Sequence, residues 1–145
     1  MRMRAAARVR PLAMRRGVRG FTLIEILVVF VIIGILGALA LPSFLTALRK
    51  GNRSDVKAIM MESAQFMERY YTTNKTYVGA AVLSAVSPKG SSGAAVKYNV
   101  SWSVTPTGSL YTMQAIPANG QVGDSCGTLT LSNTGAQTAA TGGCW

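Results

Sequence analysis

From Ile26 to Leu48 the chain runs for 23 residues without a charged side chain, and from Ile26 to Leu41 every residue is apolar or glycine. As a helix this run measures about 34 Å, enough to cross a hydrocarbon core of roughly 30 Å. What precedes it has the opposite character. Residues 1–20 hold seven arginines (Arg2, Arg4, Arg8, Arg10, Arg15, Arg16, Arg19) and no acid. Such a flank orients a membrane segment with its basic end inside. It also explains most of the formal charge of +10, which by itself points to nucleic acid or an anionic surface. Without residues 1–20, eight bases and five acids remain, a net charge of only +3.

Beyond the apolar run, Val56, Ile59, Met60, Ala64, Met67, Tyr70 and Tyr71 recur close to a period of 3.6, while Asp55, Lys57, Glu62, Glu68 and Arg69 fall mostly elsewhere. The pattern predicts an amphipathic helix over residues 49–74 that continues the apolar one. Pro42 is expected to bend it or break its hydrogen bonding locally, and Gly51 is a second weak point. A helix from Phe21 to about Asn74 would reach on the order of 80 Å.

From about residue 75 the period changes to two. Val96, Tyr98, Val100, Trp102 and Val104 alternate with Lys97, Asn99, Ser101, Ser103 and Thr105, giving a strand with one apolar face. Thr105–Ser109 is a turn. Leu110–Ile116 makes a second strand, stopped by Pro117 and Asn119-Gly120, and Gly127–Ser132 a third, followed by a turn at Asn133–Gly135. Short connections predict an antiparallel meander whose apolar face packs on the Val56–Tyr71 stripe. The Ala/Ser/Gly-rich stretch 79–95 reads as a loop. The fold class is therefore α+β: a long N-terminal helix packed on a small antiparallel sheet.

A sheet of roughly 50 residues has a marginal core and needs a further support. Cys126 and Cys144 can supply one. Two cysteines could be free thiols in a cytosolic protein, but behind a membrane-targeting segment a disulfide is the better reading. The bridge would close 17 residues, 127–143, and stabilise the fold by about 3 kcal/mol.

An enzyme is disfavoured. The chain has no histidine, which removes the usual general base and the commonest metal ligand. It also lacks a glycine-rich phosphate loop, paired carboxylates and metal-ligand spacing. No catalytic residue, cofactor or metal is expected.

The informative run is Arg19-Gly20-Phe21-Thr22-Leu23-Ile24-Glu25, followed by the apolar stretch. Here the sequence resembles the type IV pilin family, whose processing site is a glycine, a hydrophobic residue, then Thr-Leu-Ile-Glu and about twenty apolar residues. The resemblance implies that residues 1–20 are a leader, cut between Gly20 and Phe21 by a prepilin peptidase at the cytoplasmic face. Phe21 would become the N-methylated N-terminus. Residues 21–48 would hold the subunit in the inner membrane and then in a filament core. Residues 49–74 and 75–145 would form the surface, with a 126–144 disulfide loop as in type IVa pilins. Partners would be other pilin subunits, the peptidase and an inner-membrane assembly platform. The leader is longer than the family's usual one, and a start at Met14 would give a leader of ordinary length. Tyr70-Tyr71 and Tyr77-Val78 are similar to minor pilins of the PilE kind. In assembled pili of the family the helix between a glycine and a proline is partly unwound, and Gly34 and Pro42 fit that pattern.

Glu25 has a physical reason of its own. A carboxylate at the head of a membrane helix is costly unless paired. Cleavage before Phe21 creates an α-amino group one helical turn away that can neutralise it, within one subunit or between neighbours. The plain alternative is a helix-start acid, favourable at the N-terminal dipole.

Three rival readings stand beside this one. Ala38-Leu39-Ala40 fits a secretory cleavage site, which would release a soluble domain starting at Leu41; that leaves Gly20-Phe21 and Glu25 unexplained. A pseudopilin of type II secretion shares the N-terminal motif. Some of those carry calcium, but after Glu68 the only acid is Asp124, too few for such a site. A DNA-binding pilin could use Lys75, Lys89 and Lys97 with Tyr77, Tyr98 and Trp102. Nucleic acid is the less favoured partner, because these bases are spread out and Trp102 sits on the apolar face of its strand.

Overall fold

The computed structural model describes residues 20–145. The basic leader 1–19 and the alternative start at Met14 lie outside the described residues. The chain divides into two compact units after Leu39.

Helix α1 spans Leu23–Asn74. Thr22 caps it: its hydroxyl accepts a hydrogen bond from the Glu25 N–H at 3.3 Å. Glu25 then lies in the first turn, where a carboxylate faces the positive end of the helix dipole. The helix is continuous through both Pro42 and Gly51. Pro42 removes only one N–H donor. Nearby hydroxyls bond to carbonyls of the same stretch: Ser43 donates to the Ala40 oxygen and Thr46 to the Pro42 oxygen, both at 2.9 Å.

In the second unit, Ala40–Trp145, the stripe of α1 buries Val56, Ile59, Met60 and Met67 as its period predicts. Ala64, Tyr70 and Tyr71 are half-buried at its edge. Ser63, which has no place in an apolar stripe, is fully buried, and its hydroxyl accepts the Leu83 N–H at 3.4 Å. That bond compensates the cost of burying a hydroxyl.

The sheet is a five-stranded antiparallel meander, β1 (Val86–Ser87), β2 (Tyr98–Val104), β3 (Thr112–Pro117), β4 (Leu129–Ser132) and β5 (Gln137–Thr138), in that spatial order. The register puts Val100 opposite Ala115, Ala115 opposite Leu129, and Met113 between Trp102 and Leu131. Tyr98, Val100, Met113, Ala115, Leu129 and Leu131 form one face, all buried in a single core with the stripe of α1. Each fully buried large apolar side chain of this kind contributes about 1.5–3 kcal/mol.

The sheet departs from expectation at its margins. The stretch 79–95 is not wholly loop, because it contains β1. β5 follows the Asn133–Gly135 turn. Both strands have two residues, too few for a period to show. β3 begins at Thr112 and includes Pro117, and β4 begins at Leu129. Val104 does not share the apolar face: the register shifts between Trp102 and Val104, leaving Val104 exposed and Trp102 half-buried. A β-bulge re-aims side chains in this way.

Beneath β2 lies a buried polar cluster. The Gln121 amide nitrogen is 3.0 Å from Asp124 Oδ2, 3.1 Å from the Tyr98 hydroxyl and 3.2 Å from the Arg49 carbonyl. Asn52 donates to the Gln121 oxygen at 3.0 Å, and Tyr98 donates to Asp124 at 3.0 Å. Burial pushes the Tyr98 hydroxyl up to about 12; the Asp124 carboxylate adds to this and the Gln121 amide opposes it. Burial, with Glu68 second, raises Tyr111 further. A tyrosine whose pKa is raised by folding stabilises the fold fully below its unfolded value of about 10 and loses that contribution as pH rises to the folded value. Thermal stability of this unit should therefore be level to about pH 10 and fall between about pH 10 and 12. A melting temperature unchanged across that window would contradict this.

Candidate functional site

The N-terminal segment is built for contact with something outside the subunit. Phe21 is 78% exposed and Phe30 69%, and the most apolar stretch of α1 has none of its residues buried. From Leu23 to Leu48 every large apolar side chain is open. Placing a Cβ on Gly20, Gly34 or Gly37 would meet nothing within 4 Å, so each offers a flat, accessible backbone. Among the described residues Glu25 has no ion pair. Its backbone N–H donates to the Thr22 hydroxyl.

At the other end of the chain, Cys126 and Cys144 are joined in a disulfide, with their Cα atoms 5.7 Å apart. The loop it closes docks on α1. The Arg53 guanidinium lies against the Cys126 sulfur and 3.4 Å from Asp124, and Lys57 donates to the Cys144 carbonyl at 3.1 Å. Ala140 N–H bonds back to the Cys126 carbonyl at 3.0 Å.

The structure does not assemble the basic and aromatic residues that the sequence offered for single-strand binding. Lys89 is paired with Glu62, and Lys97 bonds the Ala94 carbonyl at 3.2 Å. Tyr77 and Tyr98 are buried, and Trp102 packs edge-on against Tyr111 with ring centres 5.7 Å apart. The bases that do gather are Arg49, Lys50, Arg53 and Lys57, on one side of α1 beside the disulfide loop. Arg49, Arg53 and Lys57 recur every four residues, a spacing near one helical turn that is the sequence signal for this grouping. Among the described residues no group of three or more acidic or cysteine side chains could hold a metal ion.

Two family models match the chain. Residues 15–41 match the prokaryotic N-terminal methylation motif, and residues 42–130 match the type IV minor pilin ComP, DNA uptake sequence receptor. The chain belongs to the type IV pilin family.

Solved pilins agree with this placement. The pilin is similar to the non-core minor pilin PilV of Neisseria meningitidis, at 25% identity and a TM-score of 0.52 over 67% of this chain and 91% of that one. It is similar to a type IV pilin from Shewanella oneidensis, at 29% identity and a TM-score of 0.53 over 67% of this chain and 97% of that one. It is 39% identical over 71 residues to the type IV wide pilus major component PilA4 of Thermus thermophilus, a match covering 48% of this chain. The pilin spans about half the length of that curated relative, 54%.

Proposed function

We propose that the pilin is made as a precursor, cut between Gly20 and Phe21 by a prepilin peptidase, N-methylated at Phe21, and assembled with other pilin subunits through an inner-membrane platform. Residues 1–20 are the leader, 21–48 the membrane and filament-core segment, 49–74 the helical spine of the surface domain, and 75–145 its sheet. No enzymatic role is proposed.

One observation carries this reading: the large apolar side chains of α1 from Leu23 to Leu48 are all exposed. Leaving them in water is unfavourable by roughly 25 cal/mol per Å². A bilayer covers them first, and the helices of neighbouring subunits cover them afterwards. A soluble product cut after Ala40 is less consistent, because the methylation motif ends at residue 41 with Gly20-Phe21 inside it. The test is processing. In cells that express a prepilin peptidase, membranes should contain a form starting at Phe21, and Gly20→Glu should leave only the longer precursor. Unchanged processing of the Gly20→Glu chain would sink the proposal.

A second reading, DNA uptake, is favoured by the family model over residues 42–130. The full chain in detergent should then retard duplex DNA at 50 mM salt. Two phosphate contacts would weaken binding roughly tenfold by 200 mM. No retardation at 50 mM removes this reading.

A further inference from the structure

Four cations, Arg49, Lys50, Arg53 and Lys57, follow within nine residues of the end of the uncharged run at Leu48. On the proposed topology the leader stays inside and these residues emerge outside. Cations are normally biased toward the inner flank of a span, so a cluster on the outer flank needs its own explanation.

The structure gives these residues a shape. Arg49, Lys50 and Arg53 form one wall of a cleft of about 290 Å³, and the backbone around Gly123, Ser125 and Gly143 forms the other. A second hollow of about 310 Å³, between Lys50, Lys57 and Gly143, adjoins it. Glycine makes the approach of the walls feasible: a Cβ on Gly123 would come within 3.1 Å of the Arg49 guanidinium. Asp124 is the one carboxylate lining either space, and it is engaged by Arg53. Lys57 is tied to the Cys144 carbonyl. The side chains of Arg49 and Lys50 have no hydrogen bond or ion pair among the described residues, so two cations face the cleft uncompensated. Thr46, from within the uncharged run, lines the same cleft. The cleft therefore begins where the span ends.

We propose that this cleft binds the phosphate of an anionic phospholipid while the subunit is held in the membrane. The inference rests on the membrane stage proposed above. Arginine and lysine suit a phosphodiester, the first by paired N–H donors and the second as a point charge. Basic residues beside a span are drawn to anionic headgroups. A cleft of this size suits one headgroup, whereas duplex DNA needs a row of phosphate contacts along a surface. Bound lipid would hold the surface domain at the bilayer until the subunit leaves it for the filament.

The experiment is native mass spectrometry of the full chain, released from detergent micelles holding equal amounts of phosphatidylglycerol and phosphatidylcholine. The wild-type chain should retain phosphatidylglycerol over phosphatidylcholine by roughly tenfold. Arg49→Gln with Lys50→Gln should lower that ratio several-fold, the seven arginines of residues 1–20 being the same in both chains. Ser125→Glu, an exposed change on the facing wall, should do the same without touching α1. Disulfide mass and far-ultraviolet circular dichroism establish that both variants are folded. Equal retention of the two lipids by the wild-type chain, or an undiminished preference in both folded variants, overturns the proposal. So does retention of added inorganic phosphate or duplex DNA without phosphatidylglycerol preference. A wild-type chain that fails to enter micelles overturns the membrane reading as well, which separates the two failures.

Discussion

Replacing Glu25 with Ala is expected to lower the amount of this chain recovered in sheared filaments by on the order of a hundredfold or more, with its membrane content unchanged. In the isolated subunit Glu25 is only a helix-start acid beside the Thr22 cap. That role is worth about 0.3–1 kcal/mol, a few-fold effect at most. Pairing with the α-amino group of Phe21 in an apolar filament core is a different matter. Breaking a buried pair by removing one partner costs about 3–5 kcal/mol, roughly two to four orders of magnitude in an equilibrium. The size of the loss therefore separates the two roles. Recovery within threefold of wild type would mean that Glu25 is only a cap.

The second large effect is expected at the disulfide. Cys126→Ser with Cys144→Ser should destabilise the surface domain by about 3 kcal/mol, from loop entropy alone. For a unit of this size that corresponds to a fall in melting temperature of roughly 10–20 °C. The loss has a structural route besides entropy. Arg53 rests on the Cys126 sulfur and Lys57 on the Cys144 carbonyl, so freeing the loop also loosens its dock on α1. A fall of less than about 3 °C would show that the polar cluster around Asp124 and Gln121 holds the loop unaided.

How much of this was legible in the sequence follows from the length over which each signal is written. The charge-free run and the Val56–Met67 stripe extend over many turns, and both appear as helix. The alternation Tyr98–Val100–Trp102 is long enough to fix the face of β2, and its failure at Val104 came from a bulge that leaves no periodic trace. β1 and β5 were hidden because a two-residue strand is defined by its partner. The polar cluster was hidden for another reason. Gln121 lies in a turn, and nothing local says that its amide will be fully buried against residues 52, 98 and 124. The cleft was missed similarly, because Arg49 and Lys50 are separated from their facing wall by more than seventy residues. Gly20, Phe21 and Glu25 belong to the opposite class. The roles proposed for them involve a cleavage and a neighbouring subunit, so a spaced motif expresses them better than the structure of one chain. Gly34 and Pro42 are similar: α1 is continuous through both in the single subunit, and the stretching that the family resemblance implies there is proposed for the fibre alone.

The central claim is that this chain becomes a filament subunit through a cut before Phe21. The most direct measurement is the intact mass of the chain in filaments sheared from cells, with and without reduction. A mass starting at N-methylated Phe21, two hydrogens lighter before reduction than after, is the predicted result. A chain absent from filaments, or found only as a soluble product starting at Leu41, would contradict the account.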